Sequence, residues 1–363
     1  SLQMSQDTSA ASFAVSILKT APPSSSLLFS PSSLSSALAI VHDGAEGETK
    51  RELAELLLSG HDSSAVSSYH SSLPAVLTGS RGVCLSVAAR CYVDIGVALK
   101  EDFELHVKEQ YDVDVVQLEF GDATYAAMSV NNYVAKKTNH NIEKLVEEDV
   151  FEEAAIVLVN AVHFSAGWQR CFDDTLTFEQ IFHGAGGERE ESFMHSRNVP
   201  ARYFSNDSVH ALALSYEDTA FSLMILLPAD YEEFRSSLTG AALLDYAKQL
   251  RTRNININMP KFTAEHTLDG EKTLSALGVS GLFKGGLNGI ADDPRLIISA
   301  IVHKAVIEVN EEGTEASAAT AVIASFKSLI VDENPIPTFT ADRPFIYAVI
   351  KDNSHLLFIG QYC

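Results

Sequence analysis

Positive charge is scarce in this chain: 26 Lys and Arg stand against 48 Asp and Glu in 363 residues, a formal charge of −22. A surface of that sign repels phosphate backbones and anionic headgroups, so nucleic acid and a membrane surface are excluded as partners. A neutral or basic protein partner fits better. Long apolar runs are also missing; none approaches the roughly 20 residues that cross a bilayer. Between Ser1 and Asp7 there is no basic segment leading into an apolar one, as a secretory leader requires. Met4 is read as a native start, and the cytoplasm as the favoured compartment. A leader already removed would leave the same sequence, so secretion stays open.

Cysteine is sparse. Cys84 and Cys91 lie seven residues apart in a strand-like run, about 23 Å and far beyond disulfide reach. With Cys171 and Cys363 they are expected to be free thiols, in keeping with a reducing compartment. No Cys/His spacing suits zinc. There is one glycosylation sequon, Asn206-Asp207-Ser208. Enzyme signatures are absent: there is no Gly-x-Ser-x-Gly elbow, no P-loop and no His-Glu-x-x-His. The glycine-rich His183-Gly184-Ala185-Gly186-Gly187 follows no strong strand and opens no helix, so it reads as a turn. No nucleophile stands beside a base, so the chain is read as no enzyme, and no cofactor or metal is expected. No linker, repeat or low-complexity tract divides it, which favours a single domain over residues 1–363.

What is present is a helix-rich first half and a strand-rich second half. Helices are expected over Ser9 to Leu18, from Pro31 through Val41, over Glu48 to Leu58 and over Ala126 to Val146. The apolar run Ala154 to Val159 predicts a strand buried on both faces. Phe221 to Leu227 predicts another, and Asn254 to Met259 alternates as a half-exposed strand does. A short helix is expected over Thr267 to Leu277, closed by Gly278. Further strands are expected over Leu296 to Ser299 and Ile301 to Val309, and a terminal hairpin turns at Asp352-Asn353-Ser354. The pattern is α+β rather than repeating βαβ.

The most informative stretch is Glu311-Glu312-Gly313-Thr314-Glu315-Ala316-Ser317-Ala318-Ala319-Thr320. Ala and Ser are poor strand formers, which makes it a loop. Yet Thr314, Ala316, Ala318, Thr320, Val322 and Ala324 carry no charge and little bulk on alternate positions. Such a loop can enter a sheet as a strand.

This stretch closely resembles the hinge of the serpins, the suicide protease inhibitors. Further motifs of that family are matched in order: Phe29-Ser30-Pro31-Ser32-Ser33 with Gly44 to Thr49, Asn160 to Trp168, Pro260-Lys261-Phe262, Val302-His303-Lys304-Ala305, Asp342-Arg343-Pro344-Phe345 and Leu357-Phe358-Ile359-Gly360. The resemblance runs from about residue 9 to the end. It implies a serpin-like α+β fold with three β-sheets, eight to nine helices and an exposed reactive loop at about 311–341. It also implies a mechanism in which a protease cleaves the loop and is trapped as an acyl-enzyme while the loop inserts into the main sheet. Asn139-His140-Asn141-Ile142 departs from the family pattern.

Residue roles follow from the resemblance. Glu311, Gly313, Thr314, Glu315, Ala316, Ser317, Ala318 and Ala319 match the hinge. Ser30, Ser33, Asn160 and His303 match the shutter, a polar cluster beneath the strands that part. Trp168 and Lys261 match the breach, with Glu311 as the partner of Lys261 in an exposed pair. The family's scissile bond usually follows the seventeenth residue from the hinge Glu, which places it at Lys327-Ser328. Lys327 is also the only basic residue between Glu311 and Ala341, and a basic side chain selects trypsin-like serine proteases. Phe326, selecting chymotrypsin-like enzymes, is the competitor one residue away. Cross-class inhibition of cysteine proteases and a non-inhibitory carrier or chaperone role are the rival readings. Residues 65 to 80 contain no Lys or Arg, so no heparin cofactor is expected. The expected state is a monomer, with loop-sheet polymers as the hazard of a mobile loop beside an openable sheet. Arg in place of Thr314 or Ala316 is expected to bury a charge during insertion and to make the variant a substrate, cleaved without trapping.

Overall fold

The computed structural model describes residues 1–80, 82–314 and 335–363. Glu315, Ala316, Ser317, Ala318, Ala319, Phe326, Lys327 and Ser328, on which expectations rest, lie outside the described residues.

Ser1 caps α1 (Leu2–Leu18) by accepting from the Met4 N–H, so this helix starts before the expected Ser9. β1 (Leu27–Phe29) runs into Ser30, whose hydroxyl caps α2 (Pro31–Gly44) with proline at the first helical position. Then come α3 (Gly47–Leu58), α4 (Ser63–Val76), β2 (Val83–Asp94), α5 (Glu101–Tyr111), β3 (Val115–Leu118) and α6 (Ala123–Lys137). α6 stops well short of Val146. Asn139 and His140 adopt left-handed backbone, with φ of 51° and 63°, and turn the chain back. Ile142, Leu145 and Val146 are buried all the same. Asn131 Oδ1 accepts from the N–H groups of Leu145 and Val146 and ties the returning segment to the helix.

β4 (Ile156–Gly167) contains the Ile156 to Val159 part of the expected doubly buried strand, starts two residues later than expected and runs on to 12 residues. Val157, Val159 and Ala161 pack with the buried face of α6; Leu158, Val162 and Phe164 belong to the main core. β5 (Phe178–Gly184), β6 (Gly187–Ser205), β7 (Val209–Ser215) and β8 (Phe221–Pro228) follow. After them come α7 (Tyr231–Ser237), α8 (Gly240–Gln249), β9 (Arg251–Pro260), β10 (Phe262–Asp269) and α9 (Gly270–Ala276). The chain closes with β11 (Ala300–Val309), β12 (Gly313–Thr314), β13 (Thr338–Thr340), β14 (Phe345–Lys351) and β15 (His355–Tyr362).

Two expectations shift. Residues 267–269 end β10, and the helix begins only at Gly270 because Asp269 caps it from the Lys272 N–H. Residues 296–299 form no strand; Ile298 donates to Leu282 O and Ser299 to Ile156 O instead.

Pairing defines two sheets. One has six strands in the order β10-β11-β12-β4-β2-β3, with β11 also paired directly to β4. The other has nine, β1-β15-β14-β8-β7-β6-β9-β13 with β5 on β6. The resemblance implies three sheets, but the 19-residue β6 pairs with β5 through its first half and with β7 at its far end. Ladders that would count as separate sheets are therefore continuous. Nine α-helices lie among the described residues. The main core sits between the two sheets and α1–α4.

Candidate functional site

The segment that matches the family's hinge begins with a tight reversal at the end of β11. Asn310 Oδ1 accepts from the N–H groups of Glu312 and Gly313, and the Asn310 N–H donates to Gly313 O. The chain thus turns back into its own sheet. Thr314 pairs antiparallel with Val309 on one side and with Ala166 on the other. The fit leaves no room for a side chain at Gly313: a Cβ there would stand 2.1 Å from Ala166 O.

Five expected residues converge on this point. Trp168 donates from Nε1 to Asn310 O and from its backbone to Glu312 O, both at 2.9 Å. Its ring stacks on Tyr216, with centroids 4.7 Å apart. The Tyr216 hydroxyl lies 2.8 Å from Thr314 Oγ1, and Thr314 is 0% exposed. Lys261 Nζ is 2.9 Å from Glu311 Oε2, and Thr177 donates to Glu311 Oε1 at 2.8 Å. The expectation of an exposed pair is corrected on one side: the Glu311 side chain is 11% exposed, the Lys261 side chain 44%. Burial pushes the Glu311 pKa up, but the hydrogen bonds from Lys261, Thr177 and the backbone outweigh it and hold the carboxyl below its ordinary range.

Sequence reasoning missed Tyr216, Thr177 and Asn310. Asn310 was within reach, since Asn before a Gly-containing turn is an Asx-turn signal. Tyr216 and Thr177 come from distant strands and loops with no local mark.

Below the hinge, β4 and β11 pair directly and in parallel, from Val157 opposite Ala300 to His163 opposite Val306. The other expected cluster lies on this ladder. His303 Nδ1 is 2.6 Å from Asn160 Oδ1, and the Ser30 N–H donates to His303 Nε2 at 2.9 Å. Nε2 is therefore the acceptor and Nδ1 carries the proton. Ser33 Oγ sits 2.9 Å from Asn160 Oδ1 and 2.7 Å from Nδ2. All four predicted residues are thus brought together, joining the start of α2 to both central strands. Burial, with His266 nearby, drives the His303 pKa down to about 3 and keeps the ring neutral.

This arrangement has a definite chemical capacity. A strand continuing from Thr314 would run antiparallel to both β4 and β11. It would exchange one parallel ladder for two antiparallel ones, the more favourable pairing per residue. The His303–Asn160 bond spans the gap such a strand must enter. The described residues contain no His/Cys/Asp/Glu group able to hold a metal ion, and all four cysteines are free.

The family model described as Serpin (serine protease inhibitor) matches residues 8–363. Iripin-2 of Ixodes ricinus is 31% identical over 365 residues, covering 96% of this chain and 91% of that protein. Leukocyte elastase inhibitor A of Mus musculus is 30% identical over 371 residues, covering 97% of each. The solved structure of the thermophilic serpin Tengpin in its native state aligns with a TM-score of 0.89 at 26% identity, covering 99% of this chain and 94% of that one. The chain belongs to the serpin family.

Proposed function

We propose that this serpin is a suicide inhibitor of trypsin-like serine proteases and that the bait bond is Lys327-Ser328. The observation that carries the reading is the closed parallel pair β4–β11 with β12 already seated between its upper ends. In this reading the protease serine attacks the Lys327 carbonyl, the bond breaks, and Ser328 leaves with a free amine. The ester left on Lys327 tethers the protease. The freed loop then continues β12 downward into the sheet. Residues from Thr314 to Ser325 equal β4 in length, 12 residues, or about 40 Å at about 3.3 Å each. Small, uncharged side chains at Ala316, Ala318 and Ala324 would enter without overpacking. Ser30, Ser33, Asn160 and His303 serve as the latch that must release, and Trp168 with the Lys261–Glu311 pair steadies the entry point.

A short incubation with trypsin, resolved by denaturing gel and mass spectrometry, tests this. The expected result is an SDS-stable complex and a released fragment beginning at Ser328. A fragment beginning at Lys327 would move the bait to Phe326. Cleavage at any loop bond without a complex would overturn the inhibitor reading.

A further inference from the structure

The sequence sets no nucleophile beside a base, but the fold brings one there. Ser63 opens α4, and its Oγ lies 2.6 Å from Nε2 of His42, which stands near the end of α2. The other ring nitrogen, Nδ1, lies 2.9 Å from Asp43 Oδ1. A serine, a histidine and a carboxylate thus follow one another in hydrogen-bond reach, the arrangement that activates a serine for attack.

The proton positions follow from Asp43. His106 Nε2 and the Tyr111 hydroxyl, both of α5, reach its Oδ2 at 2.7 and 2.8 Å, and Ser67 of α4 shares Oδ1 with His42. Burial pushes the Asp43 pKa up, but the hydrogen bonds from His42, Ser67, His106 and Tyr111 outweigh it and hold the carboxyl well below its ordinary range. A carboxylate only accepts, so His42 Nδ1 carries a proton. In the neutral ring Nε2 is then the acceptor, and the Ser63 O–H donates to it.

His42 is 1% exposed, whereas Ser63 is open to solvent. The base is sheltered and the nucleophile is accessible. Asp62 gives α4 no side-chain cap, so the first N–H groups of the helix keep their positive end available to an oxyanion. Exposed Asp62 and a net charge of −22 disfavour an anionic substrate.

We propose that Ser63 and His42 form an esterase site for small uncharged acyl esters. Ser63 Oγ attacks the ester carbonyl carbon while its proton passes to His42 Nε2. The bond to the leaving alcohol breaks, and the alcohol departs with that proton. Water then attacks the acyl-serine, giving a proton to Nε2. The carboxylic acid leaves, and Ser63 recovers its proton from the ring. The site uses none of the residues matched to the hinge or the latch, so it stands or falls separately from the inhibitor reading.

Release of 4-nitrophenol from 4-nitrophenyl acetate by the full chain tests it, together with fluorophosphonate labelling and peptide mapping. Label on Ser63 and steady release are expected. Ser63→Ala should abolish both while keeping a native thermal midpoint and normal trapping of trypsin. His42→Gln should slow both by about 100-fold, the usual worth of a general base. Ser68→Ala, an exposed serine of the same helix, should change neither. A label that misses Ser63, release undiminished in Ser63→Ala, or a His42→Gln variant that reacts as fast as the unmodified chain would overturn the proposal. If His42→Gln does not fold, the labelled position and Ser63→Ala still decide it.

Discussion

Asn160 and His303 stand directly opposite each other on the parallel ladder of β4 and β11, and a 2.6 Å hydrogen bond from His303 Nδ1 to Asn160 Oδ1 joins them. The ring's other nitrogen accepts from Ser30 at the start of α2. A protonated ring would present a second N–H to a backbone donor. The cluster therefore holds together only while His303 is neutral.

That constraint sets a pH dependence. The His303 pKa falls from its ordinary 6.5 to about 3 on folding. Between those values the unfolded chain binds the extra proton, so stability is complete above about pH 6.5 and falls as pH drops toward 3. The slope is about 1.4 kcal/mol per pH unit for each such group. His70, lowered to about 4, acts in the same direction. Urea unfolding at pH 7.5 and 5.5 should show the loss, and His303→Gln should remove about one group's share. An unchanged slope in His303→Gln would contradict the assignment.

The Lys261–Glu311 pair makes a different prediction. Glu311 has a lowered pKa and is nearly buried, while Lys261 is half in solvent. Solvent screening limits the pair to about 1 kcal/mol or less. Its contribution is present above pH 4.5, the ordinary Glu value, and is lost as pH falls below it. Lys261→Met should therefore destabilise the chain at pH 7, and the difference from the unmodified protein should narrow by pH 4. Denaturant midpoints at the two pH values give the answer; a difference that ignores pH would mean the side chain acts by packing alone.

The fold was legible where one signal dominated. Ala154 to Val159 is apolar without a break, and its last four residues, Ile156 to Val159, became the fully buried start of β4. Asp352-Asn353-Ser354 separates two apolar runs and became a hairpin turn with left-handed Asp352 and Asn353. It was misread where burial outlasted regular structure. Ile142 to Val146 keeps helical spacing, yet Asn139 and His140 had already reversed the chain. At the site, the family motif located Glu311, Trp168 and His303, but Tyr216 and Thr177 beside them were invisible. Tyr216 reaches Thr314 from a residue 98 positions away, and no local pattern encodes such a contact.

Gly313 should tolerate nothing larger. A Cβ would meet Ala166 O at 2.1 Å and Gly167 Cα at 2.7 Å, both backbone atoms that cannot rotate aside. Gly313→Ala should cost about 1–3 kcal/mol, as overpacking does, unless β12 leaves the sheet. Gly121→Ala is the control, because a Cβ there meets nothing within 4 Å; it should stay within about 0.5 kcal/mol. Equal thermal midpoints for the two variants would mean the upper end of the sheet is looser than drawn.

Thr314 carries the last prediction. Arg at this position is expected to bury a charge during insertion, and Thr314 is already 0% exposed and bonded to Tyr216 in the uncut chain. Two variants separate its roles. Thr314→Val keeps the shape and loses the hydroxyl, so the Tyr216 O–H is left unpaired at a cost of about 1–3 kcal/mol; trapping of trypsin should survive. Thr314→Arg places a charge in a buried slot with no partner at hand, which should lower the thermal midpoint before any cleavage. It should also stall insertion at its first step, leaving hydrolysis to outrun trapping. Gels of both variants with trypsin should show complex for Thr314→Val and clean cleavage for Thr314→Arg. A persistent complex from Thr314→Arg would mean the loop enters the sheet without passing this point, and the continuity of β12 with the inserted strand would have to be abandoned.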